Sequence, residues 1–229
     1  MRLVRTGVAA AAAWCLPAPA PHVASLCAPL GIARRLPGDA AEVALTFDDG
    51  PHAAGTPAVL EALRAAGARA TFFLVGEQVA RNRTLAAEIA AAGHGIALHG
   101  FRHRNLLCVP PRATVDDLTR AYAEIGEATG RAPAVYRPPY GIFSLPALAF
   151  ARSRGWLPLL WSRWGLDWRA SIAPERIAGK VAGEAGPGDV LLLHDADHYS
   201  APGSWRRTAA ALPAVLGELE RRGLRTVTL

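Results

Sequence analysis

The feature that most constrains the fold of this chain is an alternation of short apolar runs with helical segments, which begins near Ala41 and continues to the C-terminus. Helix starts are predicted at Thr56, followed by Pro57, and at Thr114, where Asp117 would complete a capping box. Strands separated by helices form parallel sheets with right-handed crossovers. The alternation therefore predicts an α/β fold, a distorted (β/α) barrel of about seven parallel strands. The seven runs of strand length are residues 42–47, 70–75, 95–99, 134–137, 156–161, 189–194 and 225–229.

Length and composition favour a single folded domain. The chain has 229 residues, 51% of them hydrophobic, which is enough to bury one substantial core. The net charge of +6 comes almost wholly from arginine, and no basic recognition helix or aromatic platform accompanies it. We therefore expect no nucleic-acid partner. Three scattered cysteines are too few for a disulfide framework or a cysteine metal site, and nothing in the sequence indicates the oligomeric state.

Residues 1–40 are predicted to form an Ala- and Pro-rich segment that precedes a catalytic domain at residues 41–229. Two arginines precede the apolar stretch at residues 7–16, as in a secretory signal. Prolines then interrupt the stretch before it is long enough to span a bilayer, and one of them follows the only APA sequence, residues 18–20, at which cleavage could occur. Export or membrane attachment and a cytoplasmic appendage both stay open. Any membrane contact is predicted only through this segment.

Two adjacent carboxylates, Asp48 and Asp49, follow the first apolar run. Adjacent anions repel each other, so a nearby group must favour their charged forms if they are buried. One interpretation is a simple turn with Gly50, because Asp and Gly are common turn residues. The other is a cation that is held by one carboxylate while the second carboxylate accepts a proton.

Further polar groups follow the later runs, and in a β/α barrel such positions meet at the C-terminal ends of the strands. His99 and His103 have the spacing that places two imidazoles on one face of a helical turn. Alone, such a pair is more often solvated or capping than metal-binding. Two imidazoles with one carboxylate, however, form a three-ligand site with an open position, as catalytic zinc requires. The other polar clusters are residues 137–141, Asp167 with Trp168, and His194.

Five motifs in this order resemble those of the polysaccharide deacetylases, carbohydrate esterase family four, whose catalytic region is also called the NodB-homology domain. They are TFDDGP, HGFRH, RPPYG, the DW of WSRWGLDW, and LLLHD. The resemblance covers about residues 42–229. It implies a distorted (β/α) barrel and metal-dependent removal of acetyl groups from N-acetylated or O-acetylated sugars or polysaccharides. The implied partner is thus an acetylated carbohydrate substrate, as in cell-wall material.

The resemblance also implies roles for the matching residues of the first three motifs. Asp49, His99 and His103 would hold a divalent ion, zinc or else cobalt. Asp48 would be the catalytic base, since successive side chains of an extended chain point opposite ways and would leave Asp48 facing the attacking water. Arg137 would orient Asp48 and stabilise its charge.

The later motifs supply the remaining roles. His194 would protonate the departing amine while Asp167 holds its imidazole charged and oriented. The backbone N–H of Tyr140 would stabilise the oxyanion, again as the resemblance implies. Three residues are candidate substrate contacts: Pro138, Trp164 and Trp168. Trp156 and Trp161 are predicted to belong to the core.

Two positions depart from the family pattern. Gly100 stands where serine or threonine is common, which predicts the loss of a hydrogen bond in the histidine loop. Trp164 stands where another aspartate is common, which leaves Asp167 as the only obvious partner of His194. The long segment 196–208 is predicted to shape substrate choice. Two alternative functions stay open: a non-catalytic carbohydrate-binding protein on the same scaffold, and a deacylase of a small or lipid-linked amide.

Overall fold

Eight strands of the described residues form one sheet around β1 (Glu42–Asp48), which is buried along nearly all of its length. The computed structural model describes residues 14–229. The strands cross the sheet in the order β5, β4, β3, β2, β1, β7, β6, while β8 pairs with the start of β1, and all these pairings are parallel. The sheet curls into a half-barrel, which confirms the predicted fold class. The other strands are β2 Thr71–Leu74, β3 Gly95–Leu98, β4 Val135–Tyr136, β5 Leu157–Pro158, β6 Arg163–Trp164, β7 Val190–His194 and β8 Arg225–Thr226.

Seven α-helices of the described residues connect these strands, and each long helix buries one apolar stripe. In α1, for example, Val59 and Leu63 are four residues apart and fully buried. This spacing places both side chains on the face that packs inward. The helices are α1 Gly55–Ala65, α2 Gly76–Arg81, α3 Arg83–Ala91, α4 Pro111–Thr129, α5 Leu145–Ser153, α6 Pro174–Ala182 and α7 Ser204–Arg221.

Both predicted helix starts are wrong. Thr56 lies inside α1, because the His52 imidazole accepts hydrogen bonds from the N–H groups of Ala54 and Gly55 and so satisfies the first amides of the helix. Thr114 lies inside α4, which begins at Pro111, a residue that has no N–H to satisfy. The Asp117 carboxylate is therefore free to bind another part of the chain.

The apolar run at residues 156–161 is not one strand. Only Leu157–Pro158 pair in β5, after which the carbonyl groups of Leu159 and Leu160 accept hydrogen bonds from the buried Arg137 side chain. The chain then reaches the opposite edge of the sheet, where β6 pairs with β7. The loop that carries Asp167 consequently follows β6, a strand that the sequence did not predict.

The segment before β1 connects the two ends of the curled sheet. Ala33 pairs with Leu159 beside β5, and Arg35 pairs with Asp189 beside β7. Unpaired sheet edges invite association, so this segment protects the opening of the half-barrel. Three of its buried residues belong to the same hydrophobic core as the sheet: Ala20, Cys27 and Ile32.

Most of the predicted signal-like stretch, up to residue 13, lies outside the described residues. Within residues 14–229, no helix combines the length and the apolar character needed to cross a bilayer.

Candidate active site

One cavity of about 350 Å³ opens at the C-terminal ends of β1, β3 and β7. This volume lies in the range of small-molecule binding sites. Eight of the predicted site residues line it: Asp48, Asp49, His99, His103, Tyr140, Trp164, Trp168 and His194. Seven other residues complete its wall: Pro21, His22, Gly141, Trp161, Leu192, Tyr199 and Ser200.

The carboxylates of Asp48 and Asp49 face the same cavity. The prediction that they point in opposite directions is wrong, because the extended backbone ends at Asp48. Asp49 has a φ of 81°, in the left-handed region, so the chain turns at this residue. Side-chain alternation applies only to extended backbone. The turn brings the second carboxylate to the side of the first.

Asp49, His99 and His103 form a compact group of metal-ligating side chains. Their donor atoms lie within 4.8 Å of one another. Asp49 Oδ1 is 3.5 Å from His99 Nε2 and 3.2 Å from His103 Nε2. This oxygen is buried and has no well-aligned hydrogen-bond partner among the described residues. A carboxylate oxygen and two imidazole nitrogens that converge in this way fit a divalent cation.

The electrostatics of Asp49 favour its charged form. Burial alone would raise the pKa of this carboxyl, but the imidazoles of His103 and His99 outweigh burial and hold the pKa below its ordinary value. Asp49 is therefore a carboxylate at neutral pH, which is the form that binds a cation.

The orientation of His99 is fixed by the backbone that follows β4. His99 Nδ1 lies 2.8 Å from the carbonyl oxygen of Arg137. A carbonyl only accepts, so Nδ1 is the donor, and Nε2 is the nitrogen that faces the cavity and is available to bind a cation. Such a hydrogen bond on the second nitrogen is the usual support of a ligating histidine.

The histidine loop, residues 99–103, is held from two sides. The N–H groups of Gly76 and Glu77, at the start of α2, donate to the carbonyls of Gly100 and Phe101 at 2.9 and 2.8 Å. The Asp117 carboxylate accepts from Phe101 N–H at 2.8 Å. Gly100 has a φ of 86°, which favours glycine over serine or threonine. The loop is thus anchored despite the departure at Gly100.

Arg137 is fully buried and forms an ion pair with Asp48. Its Nη1 donates to Asp48 Oδ1 at 2.6 Å and to Thr46 Oγ1 at 3.0 Å. Its remaining nitrogens donate to backbone carbonyls, and the guanidinium lies 3.9 Å from the centroid of the Phe73 ring. These contacts leave the ion pair few alternative geometries. Asp48 Oδ1 therefore stays bound to Arg137, and Oδ2 points towards His99, 3.9 Å from its Nε2.

His194, the last residue of β7, is bound to Asp167 by two contacts. The backbone N–H of His194 donates to Asp167 Oδ2 at 2.7 Å, and Nδ1 lies 3.0 Å from Oδ1. Burial opposes the charge on the imidazole, but the carboxylates of Asp167, Asp49 and Asp48 together outweigh burial and raise the pKa of His194 to about 10. Asp167 also accepts from Thr208 Oγ1 at 2.8 Å, so a second aspartate at position 164 is not needed to orient this histidine.

An aromatic wall faces the carboxylates across the cavity. The rings of Trp161 and Trp164 stack at 5.6 Å, and Trp168 lies edge-on to His194 at 5.5 Å. Trp161 is 5% exposed, as predicted for a core residue, yet it also lines the cavity. Tyr140, at 55% exposure, stands at the mouth. Pro138, a predicted substrate contact, is buried next to this turn and does not line the cavity.

Four residues of the cavity wall lie outside the sequence motifs. Pro21 and His22 come from the segment predicted to lie outside the domain, and His22 packs edge-on to Trp164 at 6.1 Å. No local pattern marks them as site residues. Tyr199 and Ser200 lie in the segment 196–208, which is predicted to shape substrate choice.

Known proteins resemble this chain in both sequence and fold. The family model described as polysaccharide deacetylase matches residues 36–157. A peptidoglycan-N-acetylglucosamine deacetylase of Bacillus cereus is 34% identical over 194 residues, 84% of this chain and 68% of the relative. A chitooligosaccharide deacetylase of Azorhizobium caulinodans is 33% identical over 201 residues, 85% of this chain and 95% of the relative. The crystal structure of a peptidoglycan N-acetylglucosamine deacetylase superposes with a TM-score of 0.81 at 32% identity and covers 87% of this chain and 91% of that one.

Proposed function

The chain belongs to the polysaccharide deacetylase family, and from this premise we propose that it is a metal-dependent carbohydrate deacetylase that hydrolyses the acetamide of N-acetylated sugars. The observation that carries the proposal is the convergence of Asp48, the group of Asp49, His99 and His103, and His194 on one cavity. These groups supply a cation site, a base and an acid, which are the components that amide hydrolysis requires.

Asp49, His99 and His103 would hold the ion. Two imidazole nitrogens and one carboxylate oxygen form the donor set of a catalytic zinc site, so zinc is the ion we propose, with cobalt as a functional substitute. When bound, the ion supplies Lewis-acid activation of the acetyl carbonyl and of water.

Asp48 is the proposed base. Its Oδ1 is occupied by Arg137 at 2.6 Å, whereas Oδ2 faces the ligand group and is the oxygen that would take the proton of the attacking water. The ion pair holds this carboxylate in place before substrate arrives.

His194 is the proposed acid. Since Nδ1 is engaged by Asp167, Nε2 is the nitrogen that would donate a proton to the leaving amine. The C–N bond of the tetrahedral intermediate then breaks, and acetate and the free amino sugar result. The backbone N–H of Tyr140, at the mouth of the cavity, is the proposed donor to the oxyanion.

The proposed substrate is N-acetylglucosamine within a polysaccharide or oligosaccharide. The two relatives described above are named for peptidoglycan N-acetylglucosamine and for chitooligosaccharide, which share this sugar. Trp164 and Trp168 offer apolar ring faces on which a pyranose can stack. Because Pro138 is buried, we do not propose it as a substrate contact.

Acetate release from a panel of acetylated compounds tests this function. The panel contains chitooligosaccharides, peptidoglycan fragments, O-acetylated xylan and a small N-acetyl amide, each assayed with added zinc or cobalt. We expect release from the N-acetylglucosamine compounds. Release from the small amide alone would contradict the carbohydrate substrate, and no release from any compound by protein with bound metal would favour a binding protein.

The pairing of His194 with Asp167 gives an expected pH dependence. An acid works in its protonated form, so the rate should fall as the pH rises through the pKa of His194, about 10 in the free protein. Asp167→Asn removes the carboxylate that favours the imidazolium, so the alkaline limb of the kcat/KM profile, which reports the free protein, should move to lower pH. Asp197→Asn is the matched control, because the Asp197 carboxylate lies 3.2 Å from His52 and is not bound to His194. In this variant the alkaline limb should stay in place. An unmoved limb in Asp167→Asn would contradict the role of Asp167.

A further inference from the structure

The ring of Tyr199 lies flat against the imidazole of His103. The ring centroids are 4.1 Å apart and the planes differ by 9°. Tyr140 contacts the same imidazole edge-on, at 4.6 Å and 71°. His103 therefore has aromatic contacts from two separate loops, and one of them is a close parallel stack.

The second nitrogen of His103 lacks the support that His99 has. His103 Nδ1 is buried, and no protein group among residues 14–229 forms a hydrogen bond with it. His99 Nδ1, by contrast, is bound to the Arg137 carbonyl. A ligating histidine is normally oriented through this nitrogen. The orientation of His103 must therefore come from contacts with the faces and edges of its ring.

Tyr199 is itself fixed to the element that supports the histidine loop. Its hydroxyl donates to Glu77 Oε1 at 2.8 Å and accepts from Gln78 Nε2 at 2.8 Å. Both residues lie in the first turn of α2, and the N–H of Glu77 also donates to the Phe101 carbonyl within the histidine loop at 2.8 Å. One helical turn thus holds both the stacking ring and the loop that carries His103.

We propose that Tyr199 is a positioning residue for His103, with its tethered ring setting the imidazole plane in place of a hydrogen bond at Nδ1. The inference rests on the proposed metal site. The segment 196–208 would then contribute to the affinity of the protein for the metal as well as to the shape of the cavity.

Metal affinity in three variants tests the inference. Tyr199→Leu removes the ring, and Tyr199→Phe keeps the ring but removes the hydroxyl that binds α2. Tyr122→Leu is the control: it removes another stacked tyrosine, which packs on Trp156 at 5.4 Å and does not line the cavity. Competition with a chromophoric zinc chelator should show an affinity about tenfold weaker in Tyr199→Leu, because loss of the groups that orient a ligand costs at least this much. We expect a smaller loss in Tyr199→Phe and none in Tyr122→Leu. The visible spectrum of the cobalt-loaded protein should change in Tyr199→Leu.

Several outcomes would overturn the inference. Wild-type affinity and an unchanged cobalt spectrum in Tyr199→Leu would show that the ring does not position His103. Equal losses in Tyr199→Leu and Tyr199→Phe would assign the effect to the hydroxyl, and an equal loss in Tyr122→Leu would assign it to general destabilisation. Wild-type protein that binds no zinc would contradict the proposed metal site itself, and this inference with it.

Discussion

Asp48→Asn is expected to lower the rate of acetate release from an N-acetylglucosamine oligomer by about a thousandfold, within the range that a positioned base contributes. The amide has nearly the same size but cannot accept the proton of the attacking water. The change leaves the three proposed ligands in place, so the bound metal should be retained. It also leaves the buried Arg137 without a counter-charge, which is expected to cost about 3–5 kcal/mol of stability. Steady-state rates should therefore be measured below the unfolding transition, on samples of known metal content.

A second Arg–Asp pair, in which the aspartate is buried and the arginine is exposed, provides a control. Asp189 binds Arg35 at 2.6 Å, the same distance as in the Asp48–Arg137 pair, but lies just before the start of β7, away from the cavity. Asp189→Asn should lower the stability while it preserves acetate release. If Asp48→Asn released acetate within tenfold of the wild-type rate, the assignment of the base would be wrong.

His194→Gln is expected to reduce hydrolysis of an N-acetyl sugar by about a hundredfold. An amine leaves a tetrahedral intermediate only after it is protonated, whereas an activated alkoxide leaves readily without a positioned acid. The loss should therefore be much smaller for an activated O-acetyl ester than for the amide. Metal content should not change, because His194 is not among the proposed ligands.

His198 offers a matched control in the neighbouring loop. Its Nε2 lies 3.3 Å from the Pro51 carbonyl, and its side chain does not line the cavity. His198→Gln should keep both activities. Near-wild-type amide hydrolysis in His194→Gln, together with a large loss in His198→Gln, would transfer the role of the acid to the second histidine.

The parts of the fold that depend on local periodicity could be predicted from the sequence. The predicted runs at residues 42–47 and 189–194 both form strands at nearly these bounds, Glu42–Asp48 and Val190–His194. Strand β6 could not be predicted, because two residues are too few to show a period and their pairing depends on Leu191 and Leu192, almost thirty residues further along the chain. The helix starts failed for a related reason: the imidazole of His52 takes the place of a conventional cap.

The candidate site shows the same limit. The five motifs indicated which side chains meet, since parallel strands bring their C-terminal ends together. They gave no information on the contacts between distant segments. His22 reaches the cavity because the segment before β1 spans the opening of the half-barrel, and Tyr199 reaches His103 because α2 binds its hydroxyl. Such contacts follow from the packed structure and leave no local pattern.

Metal content and acetate release, measured on the same samples, test the central claim most directly. Wild-type protein should carry about one divalent ion per chain, and His103→Ala should lose most of it, whereas His94→Ala, which removes a buried histidine outside the proposed site, should keep it. Chelation of the wild type should abolish acetate release, and added zinc or cobalt should restore it. Chelated wild-type protein that carries no ion and still releases acetate at the untreated rate would contradict the account.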